Sequence, residues 1–263
     1  MATKIQDQYV TVGDGRLHLR RWRPEEPSGG APLVLLHDAL GSIAQWRDFP
    51  DQLTGRFGRE VIAYERRGHG ASSPLPGPRD AGYLHREAWE DLPALLSAIA
   101  VEPPLLIGHS DGGTIALLYA AHFEAAAVVP LAAHVLVEEV TLAGIRQALR
   151  QREALVEQLE KYHGAGAEAL VEAWAGTWLA PAFAGWDITG LLPRIHCPVL
   201  ILQGREDEYG TAGQVRRIEA GVSGPARSRL LDDCGHLPHR ERPAAVLEAI
   251  EAFLSEFHGP SNT

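Results

Sequence analysis

Apolar positions along the chain follow two patterns. Gln6 to Val12 alternates polar and apolar, Gly13-Asp14-Gly15 turns the chain, and Arg16 to Trp22 alternates again, which predicts a β-hairpin. Pro24 to Pro32 is a loop of Pro, Gly and Ser. Glu60–Tyr64 and Ser228–Leu231 read as two further strands, and apolar runs recur at Pro32–His37, Leu105–Ile107, Ala126–Ala132 and Cys197–Gly204. Runs of that length are expected of strands buried on both faces. Stretches with helical spacing lie between and after them: Ala44–Leu53, Tyr83–Ala100 with a kink at Pro93, Gly112–His122, Gln214–Ala220 and Arg242–Phe257. A polar tail from Gly259 to Thr263 is expected to fray. Strands alternating with helices predict an α/β fold with a doubly wound, mostly parallel sheet. Right-handed crossovers put helices on both of its faces.

The alternation stops near Val135. From Glu138 to Leu192 no strand-like run occurs. Leu142–Tyr162 reads as one helix, Ala167–Trp178 as a second, and Pro181–Leu192 is short and aromatic. A stretch this long inside a domain is a functional excursion and not a bare loop. The chain thus divides into a sheet domain over 1–134 and 193–263 and a helical insertion over 135–192.

The densest chemistry falls where one apolar run meets a helix, in Leu105-Leu106-Ile107-Gly108-His109-Ser110-Asp111-Gly112-Gly113. Strand, tight turn and helix is the context of a serine nucleophile elbow. Gly108 and Gly112 flank Ser110 at minus two and plus two, where a Cβ would crowd a strained turn. The turn lifts the Ser110 hydroxyl above the carboxyl edge of the sheet, where open α/β sheets bind ligands. Asp111 is the alternative nucleophile in this turn, but the glycine spacing centres on Ser110.

A serine nucleophile needs a base, an orienting acid and an oxyanion hole. His236 lies in Leu231-Asp232-Asp233-Cys234-Gly235-His236, in a turn after the last strand. It fills the last slot of the chain order serine, acid, histidine. The acid should follow the preceding strand, where Gly204-Arg205-Glu206-Asp207-Glu208 offers three carboxylates. Asp207 is the choice, three residues past the glycine that ends the strand; its role is to fix the tautomer of His236. Two backbone N–H groups complete the set: Asp111, after the nucleophile, and Ala39, after the first buried strand.

With these residues in place the chain resembles the α/β-hydrolase fold superfamily over nearly its whole length. The resemblance rests on His37 in HDALGS, the loop RRGHGASSP, Ser110 in GHSDGG, Asp207 in GREDEYG and His236 in CGHLPHRERP. It implies that the insertion is a cap over the active site. Two departures stand out. Asp38 replaces the glycine usual after His37, and Asp111 replaces a more usual apolar residue. Both carboxylates are expected to point away from Ser110, since a negative charge aimed at a forming oxyanion would repel it.

The pocket should draw on His37, Asp38 and His134 from the sheet domain. Three of the six tryptophans, Trp174, Trp178 and Trp186, fall in the insertion, with Phe183 beside them. They either wall the pocket or anchor the insertion to the core. His134 likewise lines the pocket or serves the structure.

Composition narrows the partners. A formal net charge of −10 argues against a nucleic-acid surface, which needs clustered Lys and Arg. Arg20-Arg21 and Arg66-Arg67 read as isolated solvated pairs. Met1 to Val10 lacks the apolar core of a signal peptide, and the most apolar window, Ala125–Val137, is too short to span a bilayer. A cytoplasmic protein with no membrane partner is expected. Two cysteines, Cys197 and Cys234, make no disulfide framework, and no metal-ligand spacing occurs, so no metal or other cofactor is expected.

The reaction these features predict is hydrolysis of a small carboxylic ester or lactone through an acyl-enzyme on Ser110. Carbon–carbon bond hydrolysis of vinylogous diketones is the runner-up. Relatives of that kind tend to carry Asn before the nucleophile and a glycine-rich oxyanion loop, where this chain has His109 and HDALGS. Thioester hydrolysis, cofactor-free perhydrolysis and a hydrolase-like ligand-binding protein remain alternatives.

Overall fold

In the computed structural model, which describes residues 3–75 and 77–257, eight strands form one sheet. The tail at 259–263 lies outside the described residues. The strands are β1 (Thr3–Val12), β2 (Gly15–Pro24), β3 (Leu33–Leu36), β4 (Val61–Tyr64), β5 (Leu105–His109), β6 (Ala127–Leu131), β7 (Val199–Gly204) and β8 (Ala226–Leu231). Their order across the sheet is β1-β2-β4-β3-β5-β6-β7-β8. The β1–β2 hairpin pairs antiparallel, as does β2 with β4, and every other pairing is parallel.

Alternation along each strand feeds two cores. Val34, Leu36, Leu106, Val128 and Ile201 face one side, packed with α3 (Leu92–Ala98), α4 (Asp111–Ala120) and α8 (Ala212–Gly221). Leu33, Leu35, Leu105, Ile107, Val129 and Leu202 face the other, packed with α1 (Phe49–Phe57) and α10 (Pro243–Phe257). The central parallel strands β3, β5 and β6 therefore read as apolar runs because both faces are covered, whereas β8, at the edge, is polar in part and largely exposed.

Three predicted helices are interrupted. In place of Ala44–Leu53 the chain makes a tight turn over Ile43–Trp46, breaks at Arg47 with φ of 54°, and then starts α1. Pro50 enforces the break, since its ring would clash with the Trp46 carbonyl in a continuous helix. Tyr83–Ala100 divides into α2 (Tyr83–Arg86), a wide π-type turn over Glu87–Asp91, and α3. Pro93 lacks an N–H and crowds the Trp89 carbonyl, so the backbone widens there.

Leu142–Tyr162 is two helices, α5 (Glu139–Leu149) and α6 (Arg152–His163). Neither proline nor glycine marks that break. A single helix over 139–163 would run about 37 Å, carrying its far end away from the sheet. The bend lets Ile145, Leu155 and Leu159 reach one cavity. α7 (Ala167–Trp178) follows, then short turns over Pro181–Phe183 and Thr189–Arg194. A bridge between Leu136 and Asp187 draws the two ends of this helical excursion together. Its α6 is also tied to the sheet domain. His163 Nε2–H donates to the Leu40 carbonyl at 3.0 Å, and His163 Nδ1 accepts from Gly70 N–H at 3.0 Å. A short helix α9 (Pro238–Glu241) precedes α10. Among the described residues no helix is long and apolar enough to cross a membrane.

Candidate active site

The loops that leave the carboxyl ends of β3, β5, β7 and β8 carry Ala39, Ser110, Asp207 and His236. Parallel pairing aligns those ends, so residues up to 197 positions apart, Ala39 and His236, meet above one edge of the sheet. Ser110 sits between β5 and α4 with φ of 53° and ψ of −117°. The turn needs its glycines for contact reasons. A Cβ on Gly108 would lie 2.1 Å from the Gly112 carbonyl oxygen, and one on Gly112 would lie 2.0 Å from that of Leu36. The strained serine is pinned on both sides: its N–H donates to the Leu131 carbonyl at 2.8 Å, and its carbonyl accepts from Thr114 N–H at 3.0 Å.

Ser110 Oγ and His236 Nε2 are 3.0 Å apart, and His236 Nδ1 lies 2.8 Å from Asp207 Oδ1. Because the carboxylate accepts, Nδ1 carries the proton and Nε2 is left to accept from the serine hydroxyl. Tyr209 N–H donates to the same Asp207 oxygen at 2.9 Å, which fixes the carboxylate. Burial alone would lower the His236 pKa. The Asp207 bond and charge, aided by Glu208 and Asp38, outweigh it and leave the imidazole above its ordinary value.

A cavity of about 270 Å³ opens over Ser110. Ala39 and Asp111 both line it. Among the described residues neither of their N–H groups has a protein acceptor. For Asp111 this follows from its place in the first turn of α4, where helix N–H groups are free. The insertion supplies the facing wall: Thr141, Ile145, Leu155, Leu159, Trp174 and Trp178. Tyr209 packs its ring 4.8 Å from that of His236. His134 lines the cavity too, 5.9 Å from the His236 ring. Burial, followed by the His236 charge, pulls its pKa down to about 3, so it is a neutral imidazole.

The two unusual acids are each engaged elsewhere. Asp111 is 1% exposed, and its Oδ2 accepts from the Tyr83 hydroxyl at 2.7 Å. The Tyr83 oxygen in turn accepts from Trp178 Nε1–H at 2.9 Å. An indole nitrogen only donates, so the direction of this chain is settled: Trp178 to Tyr83 to Asp111. Arg66 lies 4.0 Å from the same carboxylate. Burial raises the Asp111 pKa, and Arg66 and the Tyr83 bond oppose that without cancelling it. Asp38 Oδ1 accepts from Leu40 N–H at 2.8 Å, and its Oδ2 faces His109. Burial opposes its ionisation, but the His109 bond and charge prevail and hold it below the usual carboxylate range.

Several expected positions are corrected. His37 lies behind the cavity, not in its lining: its Nδ1–H donates to the Asp38 carbonyl at 2.7 Å and its Nε2 accepts from Arg66 N–H at 3.1 Å. Phe183 and Trp186 stack on each other behind Trp178 in the core, with ring centroids 5.3 Å apart, and leave the cavity wall to Trp174 and Trp178. Arg66 is not solvated. It is 1% exposed and donates to the Asp38 carbonyl at 2.5 Å. Arg21 is buried as well, bonded to Glu60 at 3.0 Å. Arg66 carried one overlooked signal, its place right after a strand end in RRGHG. Tyr83 carried none, since its partners lie 28 and 95 residues away.

Both cysteines are free. Among the described residues no group of three or more His, Cys, Asp or Glu side chains is arranged to hold a metal ion.

Comparison with known proteins agrees with this architecture. The model of the alpha/beta hydrolase family matches residues 33–249. The chain is 25% identical over 264 residues to esterase YbfF of Escherichia coli, covering 92% of this chain and 100% of that protein. It is 22% identical over 293 residues to a proline iminopeptidase of Lactobacillus delbrueckii subsp. bulgaricus, covering 95% of this chain and 98% of that one. The crystal structure of the enol-lactonase from Burkholderia xenovorans is similar with a TM-score of 0.76 at 21% identity, over 94% of this chain and 100% of that one. By its sheet, its elbow and the match over 33–249, the chain belongs to the alpha/beta hydrolase family.

Proposed function

We propose that the protein is a serine hydrolase that cleaves small carboxylic esters or lactones through an acyl-enzyme on Ser110. The observation that carries this reading is the bonded line Ser110–His236–Asp207, at 3.0 and 2.8 Å, beneath the cavity. Ser110 Oγ attacks the carbonyl carbon while its proton passes to His236 Nε2. The carbonyl oxygen becomes an oxyanion facing the Ala39 and Asp111 N–H groups, each worth about 2.7–4 kcal/mol in sites of this kind. The tetrahedral intermediate collapses, the C–O bond breaks, and His236 returns the proton to the leaving alkoxide. Water then repeats the sequence on the acyl-enzyme and frees Ser110. Asp207 stays ionised throughout and stabilises the imidazolium.

In this reading 135–192 is a cap on a core of 1–134 and 193–263. Its apolar side chains, with Trp174 and Trp178, form the acyl pocket. The esterase relative supports the ester class. The small cavity suits a short acyl group or a lactone ring. The test is labelling with a fluorophosphonate beside a panel of aryl esters, alkyl esters, lactones and vinylogous diketones, with Ser110→Ala as control. Ester or lactone turnover lost in Ser110→Ala is expected. Diketone cleavage without ester turnover would replace the reading with carbon–carbon hydrolysis. Tight ligand binding with no turnover would replace it with a binding protein.

A further inference from the structure

His109, the last residue of β5, is 1% exposed, and its ring lies between two oxygens. Nε2 is 2.6 Å from the backbone carbonyl oxygen of His236. Nδ1 is 3.2 Å from Asp38 Oδ2. A backbone carbonyl only accepts hydrogen bonds, and so does an ionised carboxylate. A neutral imidazole has one N–H. It could serve one of these oxygens and would turn a lone pair onto the other. The arrangement is satisfied only with a second proton between Nδ1 and Oδ2.

We propose that His109 is a positioning residue: as an imidazolium it bonds the His236 carbonyl and the Asp38 carboxylate together, and so clamps the base loop to the oxyanion loop. The proposal rests on the reading of Ser110, His236 and Asp207 as a triad. It accounts for an acid after His37. The Asp38 charge, which would oppose a forming oxyanion, is offset by the cation it bonds. The rest of Asp38 is held rigidly, with Oδ1 on Leu40 N–H at 2.8 Å and its carbonyl on Arg66 at 2.5 Å. A bond from Asp38 to His109 therefore fixes the ring, and the ring fixes the His236 backbone. The rings of His236 and His239 pack on His109, and His134, Glu208 and Arg240 line the same cavity. Burial holds His239 and His134 neutral, so neither competes for the Asp38 charge.

The test uses the full chain labelled with ¹⁵N at histidine, at pH 7.5, with the His109 signals assigned by their absence in His109→Gln. Two protonated ring nitrogens are expected in the unmodified protein. In Asp38→Asn the side chain still accepts from Leu40, but its amide now donates toward Nδ1, so His109 should drop to one proton, on Nε2. The same variant should lose about tenfold in kcat on an aryl ester with KM changed less than twofold. Fluorophosphonate labelling of Ser110 should slow in parallel. An unprotonated Nδ1 in the unmodified protein overturns the proposal. So does an unchanged kcat and labelling rate in Asp38→Asn. A protein with no ester turnover but two protons on His109 and slower labelling in Asp38→Asn would leave the clamp standing and defeat the ester reading alone.

Discussion

Tyr83→Phe isolates the chain that joins the insertion to the residue after Ser110. The substitution keeps the ring and removes one oxygen that serves two partners. Trp178 Nε1–H, 2.9 Å away, loses its acceptor, and Trp178 is only 2% exposed, so water cannot replace it. A buried donor left unsatisfied costs about 1–3 kcal/mol. Asp111 Oδ2 loses a 2.7 Å bond from the hydroxyl, with Arg66 no nearer than 4.0 Å to take its place. A bond to a charged acceptor is worth about 1.5–3 kcal/mol. Together the expected loss is about 2.5–6 kcal/mol, read from urea unfolding followed by circular dichroism with the slope unchanged. Trp178→Phe supplies a cycle. Once the indole N–H is gone, Tyr83→Phe strands one partner and not two. The double variant should be more stable than additivity predicts by about 1–3 kcal/mol. A Tyr83→Phe protein within 1 kcal/mol of the original, or a cycle with no coupling, refutes the relay.

Four further outcomes follow from the site. Asp207→Asn should lower kcat about 10⁴-fold by allowing the wrong His236 tautomer. In the unmodified protein kcat/KM on an aryl ester should fall with acid, because His236 must be neutral to act as base; its raised pKa puts that midpoint above 6.5, and a midpoint below 6 would contradict the Asp207 bond. Ser110→Gly should be more stable than Ser110→Ala by about 1 kcal/mol, read as thermal unfolding of the two variants, since only glycine relieves a φ of 53°. Gly112→Ala should cost about 4 kcal/mol or more, or give no folded protein by circular dichroism, because its Cβ meets the Leu36 carbonyl at 2.0 Å.

How far a feature was legible depended on how local its cause is. Gly108, Ser110 and Gly112 form the elbow largely through contacts within a few residues, apart from the Leu36 carbonyl that excludes a Cβ at 112 and the Leu131 carbonyl that accepts from Ser110 N–H. The central strands were legible because burial on both faces demands apolar runs, and the β1–β2 hairpin because its residues alternate. Chain order then sufficed to nominate Asp207 and His236, since parallel strands deliver all their carboxyl ends to one edge. What stayed hidden was the fate of charge and aromatic surface. Arg66 reads like any solvated arginine, yet the fold buries it against Asp38 and Asp111. Phe183 and Trp186 read like Trp174 and Trp178, yet only packing decides which two face the cavity. The break after Leu149 has no local marker and is decided by where α6 must lie. A backbone preference is carried by a residue and its neighbours, so the sequence alone determined strands, elbow and order. A buried polar group is tolerable only beside a partner tens of residues away, so tertiary structure alone decided that Asp111 bonds Tyr83 and that His109 faces Asp38.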